Sequence, residues 1–126
     1  MRGERLEVGE EKINSFYNLK VYQKGYELAL EIHKLTRTFP ALEKYELGAQ
    51  LRRAAVSIPA NIAEGYGRKN SKLEFKHFLR NALGSCNEVQ VLLSISKDLC
   101  YLSDIDKINQ YDELGKQIYR LIEVWK

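Results

Sequence analysis

The sequence predicts an all-α protein, an antiparallel up-down-up-down four-helix bundle, and three observations carry that prediction. Apolar residues recur at steps of three and four along four successive stretches, the spacing of one helix face. The connections between those stretches are short, so sequential helices must run antiparallel. No stretch alternates apolar and polar residues at the period of a strand. The 126 residues hold only two prolines and eight glycines against 44% hydrophobic residues, enough to bury one core without staples. Residues 1–14 are polar and aperiodic. They are expected to be a flexible lead-in to a bundle domain over residues 15–126.

The first helix is expected from Leu19 to about Phe39, with Tyr22, Tyr26, Ala29, Ile32 and Leu35 on its stripe and Pro40 as its stop. Ala41 to Tyr45 reads as the turn into a second helix that runs to about Tyr66, where Gly65 and Gly67 end it. Its apolar face is Leu47, Leu51, Ala54, Ala55, Ile58 and Ile62. Pro59 falls inside that pattern, and a proline there removes one backbone donor, so the second helix is expected to kink at it.

The third helix opens on Ser71 with Glu74 three residues later, a capping-box spacing, and continues through Phe75, Phe78, Ala82, Cys86, Val89 and Leu92 to Leu99. Ser103 is expected to cap the fourth, whose first turn carries Asp104 and Asp106, where acids suit the helix dipole. Its stripe runs from Ile105 to Trp125. Val21, Leu28, Leu79 and Leu83 widen the faces of the first and third helices beyond one partner surface, which predicts burial against another subunit.

With those elements in place, two segments stand out. One is Leu51-Arg52-Arg53-Ala54-Ala55-Val56-Ser57-Ile58-Pro59-Ala60-Asn61-Ile62-Ala63-Glu64-Gly65; the other is the F-x-x-F-L-x-x-A-x-G-S run from Phe75 to Ser85. Together with Ser15-Phe16-Tyr17-Asn18-Leu19-Lys20-Val21, they resemble the bacterial family of four-helix bundles encoded in intervening sequences of large-subunit rRNA genes. The resemblance runs from Ser15 to the end of the fourth helix. It implies a ring-like homo-oligomer, a homopentamer, and an association with RNA or DNA.

The charge pattern points the same way independently. Net charge is +3, but residues 47–80 carry seven basic side chains against two acidic. Lys72, Lys76 and Arg80 stand at i, i+4 and i+8, one ridge of the third helix, and Arg68 and Lys69 extend it through the preceding loop. Such a ridge neutralises phosphates. These five residues are the candidate nucleic-acid contacts, with Arg52 as a sixth and Tyr66 as the neighbouring aromatic that could stack a base. The alternative is a solvated helix face on a protein-interaction scaffold that ignores nucleic acid and docks a partner protein.

A second row, Arg53, Ser57, Asn61 and Glu64, reads as a structural polar network between helices or subunits, with Arg53 or Arg68 pairing Glu64. One carboxylate beside an amide and a hydroxyl names no reaction, and no second acid, nucleophile pair or metal set accompanies it. The chain therefore reads as a non-enzyme without cofactor or metal. His33 and His77 lack partners at ligand spacing. Cys86 and Cys100 lie fourteen residues apart, roughly 21 Å along one helix, too far for a disulfide; both are expected as reduced, buried thiols. The charged N-terminus and the lack of a span-length apolar stretch predict a cytoplasmic protein.

Overall fold

The computed structural model describes residues 13–103 and 105–126. Among them lie a 3-10 turn at Phe16–Asn18 and five helices: α1 (Lys20–Thr36), α2 (Ala41–Tyr45), α3 (Leu47–Tyr66), α4 (Lys72–Asp98) and α5 (Asp106–Val124). The four long helices form the bundle, and α2 is a single added turn.

Residues 1–12 of the expected lead-in lie outside the described residues. Ile13 is already core, 4% exposed, and Ser15 caps the 3-10 turn by accepting from the Tyr17 N–H while Asn18 Oδ1 accepts from the Ser15 N–H. That cap fixes the angle at which α1 leaves.

α1 ends at Thr36, three residues short of the expected stop. The chain instead closes tight i→i−3 bonds, Thr38 N–H to the Leu35 carbonyl and Phe39 N–H to the Thr36 carbonyl. The segment Ala41–Tyr45, expected as a turn, is helical because Pro40 presets φ at −55° and its carbonyl accepts from the Lys44 N–H. Interruption of the helical path falls at Glu46 (φ −109°, ψ −89°), whereas α3 runs unbroken through Pro59. Proline costs α3 one donor only, the bond to the Ala55 carbonyl. Its ring lies against α1, where a Cβ on Gly25 would meet Pro59 Cδ at 3.5 Å and Ile58 Cγ2 at 3.1 Å.

Ser71 caps α4 as expected, its hydroxyl accepting from the Glu74 N–H at 3.1 Å. Ser103 does not cap α5; the helix starts at Asp106 with Ile105 as N-cap and no side-chain cap bond. The Ile105 carbonyl takes the Ile108 and Asn109 N–H groups, so the first turn is closed by backbone alone.

Cross-helix contacts set the antiparallel order. Gly25 meets Pro59 and Thr36 meets Arg52 between α1 and α3; Ser57 meets Ser85, and Gly65 meets Phe75, between α3 and α4; Leu83 meets Gly115, and Phe75 meets Trp125, between α4 and α5. Leu28, Ile32, Leu51, Ile58, Phe75 and Tyr111 are among the fully buried side chains at the centre, each aliphatic one contributing about 1.5–3 kcal/mol by leaving water. The α1–α5 seam carries a cross-helix ion pair, Lys107 Nζ to Glu31 Oε1 at 2.6 Å.

Val21, Leu28 and Leu79, expected to cover a subunit interface, are 6%, 0% and 0% exposed within this single chain. A helix inside a bundle buries a stripe against two neighbours at once, so the extra width is core. Other apolar residues remain outside, Leu30, Leu42, Val56 and Leu73 among them, and Val91, Ile95 and Leu99 form an i, i+4, i+8 row down the C-terminal half of α4 to its cap.

Candidate nucleic-acid interface

The fold sorts the six basic residues of the expected phosphate patch into three environments. Lys72, Lys76 and Arg80 share one ridge of α4, and among the described residues none of them forms an ion pair. Their charge is open to an external anion.

Arg68 is committed internally. Its guanidinium donates to Glu64 Oε2 at 2.9 Å and to Glu74 Oε1 at 3.4 Å, and its Cζ lies 5.3 Å from the centre of the Phe78 ring. Those bonds raise its pKa further, the Glu64 hydrogen bond most. Lys69 Nζ sits 4.8 Å from the Tyr66 ring centre. Both residues lie beside the N-terminus of α4, yet their positive charge is already shared with two carboxylates and an aromatic face.

Arg52 stands apart from the ridge. It donates to Thr36 Oγ1 and to the Lys44 carbonyl, both at 2.9 Å, and ties α1, α2 and α3 together at the opposite end of α3 from Arg68. Gly48 makes room for it, since a Cβ there would lie 3.2 Å from its Nη1. Tyr66 is also unavailable: it is 7% exposed and packs edge-on against Phe75 and Trp125.

The polar row of α3 does not form one continuous network. Ser57 Oγ lies 2.8 Å from the Ala54 carbonyl and 2.5 Å from Ser85 Oγ, a hydroxyl contact that ties α3 to α4. Asn61 bonds back to the Ser57 carbonyl, Glu64 pairs with Arg68, and Arg53 is exposed. Ser57, Asn61 and Glu64 thus bond separately, to α4, to α3 itself and to the loop after α3.

Sequence reasoning missed a groove of about 530 Å³ between α4 and α5, whose walls include Leu83, Asn87 and Gln90 on one side and Lys116, Tyr119 and Arg120 on the other. The signal was available in part, because Lys116 and Arg120 stand at i and i+4. What could not be read was the register that brings them opposite α4.

Among the described residues, no three His, Cys, Asp or Glu side chains converge to hold a metal ion. His33 Nδ1 is 3.0 Å from the Ala29 carbonyl, and His77 packs edge-on to Phe78. Cys86 is buried, and burial pushes its thiol up to about 12. Cys100, expected to be buried, is exposed because it sits in the turn after α4. No helix among the described residues is long and apolar enough to cross a membrane.

The family described as 23S rRNA-intervening sequence protein matches residues 17–123. A solved structure, a protein with unknown function from the S23 ribosomal protein family of Bacteroides thetaiotaomicron, is similar to this chain at 25% identity and a TM-score of 0.72. The similarity covers 82% of this chain and 99% of that one. No curated protein matches the chain.

Proposed function

The chain belongs to the 23S rRNA-intervening sequence protein family, and from that premise we propose that it is a cytoplasmic, non-catalytic RNA-binding bundle acting as a homo-oligomer. The observation that carries the proposal is the α4 ridge: Lys72, Lys76 and Arg80 in helical register, with no carboxylate partner among the described residues. Three such cations in a row suit the phosphate spacing of a nucleic-acid backbone far better than a point anion. Arg68 and Lys69 add positive potential at the start of the ridge but stay tied to Glu64, Glu74 and Tyr66.

Oligomerisation, as a ring of five subunits, is part of the proposal. The exposed row Val91, Ile95 and Leu99, at 58%, 42% and 50%, supports it, since a lone chain leaves that apolar strip in water. One ridge alone gives weak binding. Several copies on one ring raise the local concentration for the second contact and supply affinity by avidity. The same strip also suits a scaffold that docks another protein and ignores nucleic acid, and the two readings separate in one experiment. Fluorescence anisotropy with labelled structured RNA, at two salt concentrations and on protein of known solution mass, should show binding by an oligomer that falls steeply with salt. Absence of binding at low salt would leave the protein scaffold as the reading.

A further inference from the structure

A phosphate ridge alone does not say whether the nucleic acid is paired, but the aromatic groups beside it do. Single-strand binders combine backbone-tracking cations with exposed rings on which bases stack. Tyr66 is buried, so the nearest candidate must come from another helix. The antiparallel register of α4 and α5, fixed by Leu83 against Gly115 and Phe75 against Trp125, sets Arg80 level with Tyr119 and Arg120. Leu83 and Asn87 follow Lys76 on the same side of α4, at steps of seven and four, and line the α4–α5 groove with Tyr119. The ridge therefore runs into that groove.

We infer that Tyr119 is a base-stacking residue and that the α4–α5 groove receives an unpaired base of single-stranded RNA whose phosphates lie on Lys72, Lys76 and Arg80; this rests on the ridge reading above. Tyr119 is 54% exposed, so it reaches solvent at the groove. Glu123, one turn further along α5, lines the same groove and raises the pKa of the Tyr119 phenol. Asp112, the other carboxylate in the groove, is paired with Lys116 at 3.3 Å. Arg120 has no ion-pair partner among the described residues and adds a cation on the α5 wall. Asn87 offers an amide that can donate to and accept from a base edge. The other exposed tyrosines lack this setting. Tyr17 and Tyr26 belong to a ring ladder with Phe16 and Tyr22 at the start of α1, which packs on α3 and α5. Tyr45 sits in α2, beside Ile95 and Leu99 at the far end of α4 from Lys72.

The test uses the full chain with a labelled single-stranded oligoribonucleotide, an RNA duplex of equal length and a single-stranded DNA of the same sequence. Tyr119→Ala should weaken the single strand about tenfold, the scale of one base stack removed, and leave the duplex unchanged. Tyr119→Phe should keep single-strand affinity, because the ring is retained; circular dichroism confirms that both variants fold. An Ala variant that weakens neither probe, or both equally, overturns the inference. DNA bound as tightly as RNA overturns the choice of RNA. The double variant Lys72→Glu/Lys76→Glu separates the two readings. If it weakens every probe while Tyr119→Ala weakens none, the ridge stands and the stacking residue falls; if it weakens none while Tyr119→Ala weakens the single strand, the ridge falls and Tyr119 keeps its role. Wild-type protein that binds no RNA at low salt overturns both.

Discussion

Gly65 of α3 lies so near Phe78 of α4 that a Cβ built on it would stand 2.7 Å from Phe78 Cβ and 3.0 Å from Phe75 Cδ1. The helices touch there through the missing side chain, and the contact sets the angle at which the Arg68 loop delivers α4. Gly65→Ala should therefore force α3 and α4 apart and cost about 1–3 kcal/mol, as overpacking does. Gly84 is the opposite case: it is exposed, with nothing within 4 Å of its Cβ position. Gly84→Ala should stabilise the monomer fold by about 0.5–1 kcal/mol through helix propensity alone. Urea unfolding of the two variants side by side checks the contrast.

Arg52 is predicted to matter for stability and not for RNA. Arg52→Met removes the donors to Thr36 Oγ1 and the Lys44 carbonyl but keeps much of the apolar stem. The loss should be about 1–3 kcal/mol, the range for charged hydrogen bonds and for groups left unpaired. Salt dependence of RNA binding should stay as in the wild type. A reduced salt slope in folded Arg52→Met protein would return this residue to the phosphate-binding set.

Cys100 is the described non-glycine residue with positive φ, 67°. It occupies the left-handed position after α4, with its N–H bonded to the Lys97 carbonyl and the Tyr101 N–H bonded to the Ser96 carbonyl, the paired bonds of a Schellman motif. Glycine takes that conformation without the Cβ penalty. Cys100→Gly should stabilise the fold by about 0.5–1 kcal/mol, the strain removed less the added freedom of the unfolded chain. It should also abolish thiol labelling of the folded protein, because Cys86 is buried.

Ridge cations and committed cations should differ in their salt dependence. Lys72→Glu/Lys76→Glu should lower the slope of log K against log salt by about 2, one unit for each phosphate no longer neutralised. Arg68→Gln should lower it by less, since Glu64 and Glu74 already neutralise that guanidinium. It should instead loosen the α3–α4 turn, read as faster hydrogen exchange over residues 65–71. Equal slopes in the two variants would count against the division drawn between them.

The bundle was legible because its helices are punctuated locally: the Ser71 cap, Pro40 after α1 and the apolar steps of three and four are all short-range signals. The site was less legible because its parts meet through register. Nothing near Arg80 in sequence points to Tyr119, and the register set by Leu83 against Gly115 and Phe75 against Trp125 brings them level. Val21, Leu28 and Leu79 are core instead of interface for a related reason: periodicity reports how wide a face is, not how many neighbours cover it. Ser103 shows the limit of residue-type signals, since a serine before an acidic turn is a cap only if its backbone sits directly at the helix start.

Alkaline pH should unfold the protein in a way that can be traced to one buried thiol. Cys86 sits in the core with its pKa pushed by burial from 9.0 to about 12. Its folded value lies above its unfolded one, so the neutral form is favoured by folding. Its contribution is complete below about 9 and is lost as pH climbs towards 12, because the unfolded chain ionises first. The slope from this group is at most about 1.4 kcal/mol per pH unit. Tyr111 is shifted in the same direction, chiefly by burial, and adds to the decline above pH 10. Cys86→Ala removes the thiol and leaves the phenol. Its stability should start lower, from the cavity, yet fall less steeply between pH 9 and 10, where Cys86 contributes more than Tyr111, whose ordinary value lies one unit higher. Parallel curves for variant and wild type across that interval would show that Cys86 ionises freely in the fold, and with it that the core is open to water.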